Sequence, residues 1–321
     1  MRFCFKVLNF FTDTPIVYSP QIYYKNTMKN KRSSLFSVLI IYLAAFGAAV
    51  ALLQALPPAT HPLSALLLAD ILATGIVFIS NLALKNASVY DPYWSVQPLF
   101  LIGAMYFFYE ITFQLPHLLI LIPILIWSIR LTANWASGFE NFEWEDWRYK
   151  MLKSRNPKYA QLIVFFGVML MPTILVFLGT LPVWYILQAE TVNLIILEIG
   201  GLLIILGAFF EHSADTAMKR YKENPDRPPY IDTGLWRYSR HPNYLGEILI
   251  WIGIFTASLV NFHPLSAVGV TLITALFKFI SIPMMEKHIL EKHPEYAGYQ
   301  KTVRPLIFGP RRNRTRDPHL Q

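Results

Sequence analysis

The sequence predicts an all-α, polytopic bundle that spans a membrane, and three observations carry that prediction. Of its 321 residues, 54% are hydrophobic and only 15% are charged, against about 25% charged in an ordinary soluble domain. The apolar residues fall into runs long enough to cross a bilayer, which takes about 20 residues per helix. The basic residues crowd into every second connection between those runs, and Lys and Arg near span ends mark the cytoplasmic face.

In chain order the expected spans are Leu35–Leu56, Pro62–Leu84, Gln97–Phe113, Pro116–Ala136, Ala160–Leu187, Asn193–Phe210, Tyr244–Val260 and Pro264–Pro283, about eight within a range of seven to nine. The third is short. The fifth contains Pro172 and Pro182, each of which removes a backbone donor and bends or breaks a helix. The connections Pro57–His61, Ile111–Leu115, Gln188–Val192 and Asn261–His263 hold no Lys or Arg. The others hold Lys85, then Arg148, Lys150 and Lys153, then Lys219, Arg220, Arg237 and Arg240, then Lys287, Lys292 and Arg304. This alternation places both termini on the cytoplasmic side. Residues 1–34 read as a flexible basic segment, 35–308 as a single transmembrane catalytic domain, and 309–321 as a disordered basic tail. The expected membrane is the inner membrane of a bacterium or the endoplasmic reticulum of a eukaryote.

The formal charge of +8 fits cytoplasmic loops of a membrane protein, so the expected partners are the bilayer and a hydrophobic small molecule, not nucleic acid. Oligomeric state is not legible. The one cysteine, Cys4, has no internal partner for a disulfide or a thiolate metal site. The eight histidines lack ligand spacing, so no metal is expected. The chain also lacks a glycine-rich phosphate loop, a His-Glu-x-x-His pair and a Gly-x-Ser-x-Gly elbow.

The polar motifs all fall on the basic side. Arg130 lies about one turn inside the fourth span, where a charge needs a partner or must snorkel, and Asn134 follows at i+4 on the same face. Asp70 lies deeper and reads as a helix–helix hydrogen-bonding group. The run Arg240-His241-Pro242-Asn243-Tyr244-Leu245-Gly246-Glu247 opens the seventh span. Pro242 suits the first turn of a helix. That helix start, with Arg237 and Arg240 before it, suits a phosphate or carboxylate. Asn243 and Glu247 share a face at i, i+4, and Gly246 admits a neighbouring helix or a flat ring.

Glu211-His212-Ser213-Ala214-Asp215, the run from Thr233 to Glu247, and Glu286 through Tyr299 resemble the steroid 5-alpha-reductase C-terminal domain. Asp91-Pro92-Tyr93-Trp94-Ser95 and the stretch from Asn134-Trp135 to Arg148-Tyr149 resemble the domain-of-unknown-function 1295 membrane proteins. The likeness runs from about Leu63 to Phe308. It implies a membrane enzyme that uses NADPH to reduce a carbon–carbon double bond in a lipid-like enone or sterol. It further implies that Asp215, Asn243, Tyr244 and Glu247 hold the cofactor. Arg237, Arg240 and His241 join them on electrostatic grounds, and Trp94, Arg130 and Asn134 are expected on the substrate side. Glu211 stands where that family carries an amide. Tyr93, Glu143 and Tyr149 are the candidate donors that polarise the substrate oxygen. Arg-His-Pro-x-Tyr-x-Gly also resembles the isoprenylcysteine carboxyl methyltransferases, which implies S-adenosylmethionine as the alternative cofactor. A lipid-binding protein without catalysis is a third class, and it would have no use for the polar cluster.

Overall fold

The computed structural model describes residues 20–309, with side chains from residue 30. Cys4, the start of the expected N-terminal segment and the tail from residue 310 lie outside the described residues. Twelve α-helices follow one another, and no strand occurs among the described residues. They are α1 (Pro20–Ala55), α2 (Pro62–Leu84), α3 (Tyr93–Phe108), α4 (Leu118–Gly138), α5 (Trp147–Arg155), α6 (Ala160–Ile163), α7 (Met171–Leu187), α8 (Leu194–Glu223), α9 (Pro242–Ala257), α10 (Ser266–Leu276), α11 (Ile282–Lys292) and α12 (Tyr296–Thr302).

Seven helical stretches among the described residues are long and apolar enough to cross a membrane, the lower bound of the expected range. The stretch not counted is α3, whose 16 residues rise about 24 Å at 1.5 Å per residue. It still packs antiparallel to α2. Near its start Gln97 reaches Asp70, and past its end the Tyr109 hydroxyl reaches the Pro62 carbonyl. Large apolar side chains such as Phe36, Leu43, Ile79, Phe107, Ile195, Leu202 and Phe279 stand exposed around the bundle. Side chains of that kind on an outer surface require lipid. The chain is an integral, multi-pass membrane protein.

The fifth span is continuous: α7 runs through Pro182, and Pro172 is absorbed by a change of helix type. Residues Val164–Leu170 form a π-helical segment that ends two residues before Pro172. The same device recurs at Phe277–Ser281, two residues before Pro283. A wider turn spares the carbonyl that the proline ring would strike. The expected end of the sixth span at Phe210 is also revised: α8 continues to Glu223. The loss of hydropathy marks where the helix leaves the apolar layer, not where it stops.

Close helix contact is set by small residues, as expected where lipid offers no hydrophobic drive between helices. Gly200 and Gly207 on α8 face Gly253 and Gly246 on α9. A methyl group built at Gly207 would lie 2.5 Å from the Gly246 carbonyl oxygen, and one at Gly253 would lie 2.6 Å from that of Gly200. Gly246 therefore admits the α8 backbone, and no flat ring enters there.

The two ends of the bundle differ in chemistry. At the end without Lys or Arg, Tyr185 stacks on His263 at 4.5 Å between centroids, and Tyr109 meets Trp184 edge-on. At the other end Lys31 bonds the Ser137 carbonyl at 2.7 Å, Trp147 stacks on His288 at 3.7 Å, and the backbone of Arg240 bonds that of Arg304 at 2.9 Å.

Candidate functional site

At the basic end, α3, α4, α8 and α9 converge on one buried polar cluster. Arg130 extends from α4 to two carboxylates of α8: Nη2 lies 2.6 Å from Glu211 Oε2, and Nη1 lies 3.1 Å from Asp215 Oδ2. Asn134, one turn beyond Arg130, donates to the same Asp215 oxygen at 3.1 Å. The i, i+4 spacing on both helices aligns these pairs. Arg130 thus has partners and does not snorkel.

Glu247 sits beneath, 3% exposed, within a cage of three indoles. Trp94 of α3 donates to its Oε1 at 2.5 Å, Trp251 of α9 to the same oxygen at 3.0 Å, and Trp127 of α4 to Oε2 at 3.2 Å. A carboxylate at this depth is tolerated only when its oxygens are saturated with donors. The glycine crossing brings Glu211 and Glu247 together, because Glu211 follows Gly207 by one turn and Glu247 follows Gly246 directly.

Not every polar atom here finds a protein partner. Arg130 Nε, inside the cluster, and Asn243 Oδ1, one turn before Glu247 on α9, are buried without one. The antiparallel register of α8 and α9, with Gly207 against Gly246 and Gly200 against Gly253, sets Asn243 level with Glu211. A buried acceptor and a buried donor at one cluster suit a bound molecule that offers both.

A second group is structural in its contacts. Glu286 of α11 accepts from Arg240 Nε at 2.6 Å, from His241 Nε2 at 2.9 Å and from Gln300 at 2.7 Å. Arg240 Nη1 also bonds the Gln300 carbonyl at 2.8 Å and the Val303 carbonyl. These bonds tie the C-terminal segment over the start of α9. Arg240 and His241 are thereby engaged away from the Glu247 cluster. Tyr244 stacks on the His241 ring at 5.3 Å and lies 4.8 Å from Phe277, between the two groups. Arg237 is exposed.

A third group welds the loop before α3 to the loop before α5. Asn86 donates to the Phe142 and Trp144 carbonyls at 2.9 and 2.6 Å, and Ala87 N–H donates to Glu145 at 2.7 Å. Asp146 caps α5 and pairs with Arg148 at 2.8 Å. The Tyr149 hydroxyl donates to Asp91. Burial raises the Asp91 carboxyl to about 7, a rise limited by Arg148 and by the Tyr149 hydroxyl. Burial likewise raises the Tyr149 phenol well above its ordinary range.

The structure therefore brings together Trp94, Arg130, Asn134, Asp215, Asn243 and Glu247. It places Tyr149 in the neighbouring loop group and leaves Glu143 exposed. Tyr93 turns away from the site. Its hydroxyl donates to Asp70 at 2.7 Å, inside a network with Gln97, Thr74, Thr173 and Tyr90. Sequence reasoning missed Trp127, Trp251, Glu286 and Asp91 as members of these groups. Trp251 was signalled by its i+4 spacing from Glu247. Trp127 and Glu286 join through tertiary contact alone.

The family model described as protein of unknown function (DUF1295) matches residues 77–303, and the chain belongs to that family. An uncharacterised protein of Schizosaccharomyces pombe is 26% identical over 280 residues, 76% of this chain and 79% of that one. A protein-S-isoprenylcysteine O-methyltransferase of Saccharomyces cerevisiae is 35% identical over 116 residues, which cover 33% of this chain and 46% of the methyltransferase. No solved structure matches.

Proposed function

We propose that this protein is a membrane-embedded, NADPH-dependent reductase of a carbon–carbon double bond in a lipid-like substrate. The observation that carries the reading is the pair of unpartnered buried atoms, Asn243 Oδ1 and Arg130 Nε, at the Asp215–Glu247 cluster. A nicotinamide carboxamide and ribose hydroxyls each offer donors and acceptors that meet such a pair. Asp215, Asn243 and Tyr244 hold the cofactor in this reading, and Glu247, its oxygens taken up by the three indoles, fixes the floor beneath it. Arg237, exposed in the turn that precedes α9, receives phosphate. Bound NADPH supplies hydride; the indoles of Trp94, Trp127 and Trp251 keep water from Glu247. The Tyr149 hydroxyl donates to Asp91 at rest; with Asp91 protonated and donating to it, that hydroxyl is released to polarise a substrate oxygen. By the distribution of basic residues, this end faces the cytoplasm.

A second reading, an S-adenosylmethionine-dependent methyltransferase, is favoured by the partial match to the S. cerevisiae enzyme. A carboxylate among indoles also suits a sulfonium cation. Incubation with NADPH and a panel of lipid enones, followed by product analysis, tests the first reading. Products that gain two hydrogens support it. Methylated lipids formed with S-adenosylmethionine, and no reduced product with NADPH, would replace it.

A further inference from the structure

Two carboxyl groups meet at the floor of the site. Glu211 and Glu247 are 5% and 3% exposed, and their side chains stand within hydrogen-bonding reach of each other. The helices cannot part to relieve the contact without losing the glycine crossing. A methyl group built at Gly246 would lie 2.9 Å from Glu211 Cγ. An ionised carboxylate has acceptors and no donor, so two of them in contact need a proton between them.

The surrounding partners say which group carries it. Glu247 already accepts from Trp94, Trp127 and Trp251, and three N–H donors stabilise an anion. Glu211 accepts from one protein donor, Arg130, through Oε2, and stands against Glu247. Arg130 also pairs with Asp215, so its charge remains matched when Glu211 is neutral. The other ionisable groups near the cluster are His212, which is exposed and acts on Asp215, and the Tyr244 phenol, which also faces Asp215. Fully ionised, Glu211, Asp215 and Glu247 would set three negative charges against the single positive charge of Arg130. One proton leaves a matched Arg130–Asp215 pair and a single caged anion, a far less costly arrangement in a medium of low dielectric.

We propose that Glu211 is a resident neutral acid that donates its carboxyl proton to the Glu247 carboxylate, and that this proton exchanges with water at the basic end. The route outward is short, because Asp215 is 20% exposed and Asn134 beside it is exposed. Each hydride added to a double bond leaves the other carbon in need of a proton. Glu211 supplies it, becomes a carboxylate and recovers a proton from water. That use rests on the reductase reading; the presence of the proton does not.

Infrared difference spectroscopy of the purified protein reads this directly, since the C=O stretch of a carboxylic acid is separate from the carboxylate stretch. The wild type minus Glu211→Gln difference at neutral pH should contain a carboxylic-acid band that shifts down in D2O. Glu247→Gln should abolish the same band, because without the caged anion Glu211 ionises against Arg130. A difference spectrum for Glu211→Gln that shows only a carboxylate band overturns the proposal, as does an acid band that D2O leaves unmoved. If Glu211→Gln fails to fold, the Glu247→Gln difference decides alone. An NADPH titration of the same wild-type sample scores the reductase reading separately.

Discussion

Glu247 shows how one residue can be legible while its surroundings are not. Its position one turn inside an apolar helix marks it as functional in the sequence. The cage of Trp94, Trp127 and Trp251 comes from three helices, and no local pattern joins them. A hydrogen bond to a charged group contributes about 1.5–3 kcal/mol, so Glu247→Gln should weaken NADPH binding about tenfold or more. Protein that elutes from detergent gel filtration as the wild type does, with unchanged NADPH affinity, would remove Glu247 from the site. Asp91 gives a prediction in pH. Its carboxyl rises to about 7 in the fold, against about 3.9 for a free side chain. The folded state therefore binds the proton more tightly, so stability is greatest below about 4 and falls as pH rises toward 7. Asp91→Asn cannot ionise, so its Tm relative to the wild type should improve between pH 5 and pH 8. A constant difference across that range would show that burial does not perturb this carboxyl.

At the scale of elements, hydropathy located the spans and missed what lies beyond the apolar layer. α8 runs 30 residues, and its last turns carry Glu211 and Asp215 into the site past the point where the apolar run stops. Pro172 and Pro182 signalled disruption of the fifth span, but α7 runs on through Pro182, and the π-helical segment that absorbs Pro172 depends on how the helix is held by its neighbours. The seven-residue spacing of Gly200 and Gly207, matched by Gly246 and Gly253, was visible in the sequence as isolated glycines. Its meaning came from the crossing. Backbone oxygen blocks a side chain at Gly207, and overpacking of this kind costs about 1–3 kcal/mol. Gly207→Val should therefore lower the Tm in detergent, whereas Gly47→Ala, where nothing lies within 4 Å, should leave it unchanged. Equal Tm values for the two variants would mean that α8 and α9 do not meet at these glycines.

For the whole molecule, charge asymmetry anticipated the gathering of chemistry at one end. What it could not supply was the division of that end into three groups, since Arg240 and His241 look as available in the sequence as Asn243 does. Glu286 captures them, through a contact between residues more than forty positions apart. Single cysteines at the exposed positions Lys85, Lys158, Arg237 and Lys287 should react with an impermeant thiol reagent from one side of the membrane, and cysteines at Pro58, Glu110, Glu190 and Asn261 from the other. Mixed labelling within either set would break the single-site arrangement. The most direct measurement of the account is a parallel titration of the purified protein with NADPH and with S-adenosylmethionine. Saturable binding of NADPH, and none of the methyl donor, is the predicted result. Saturable binding of S-adenosylmethionine in the absence of any for NADPH would contradict it.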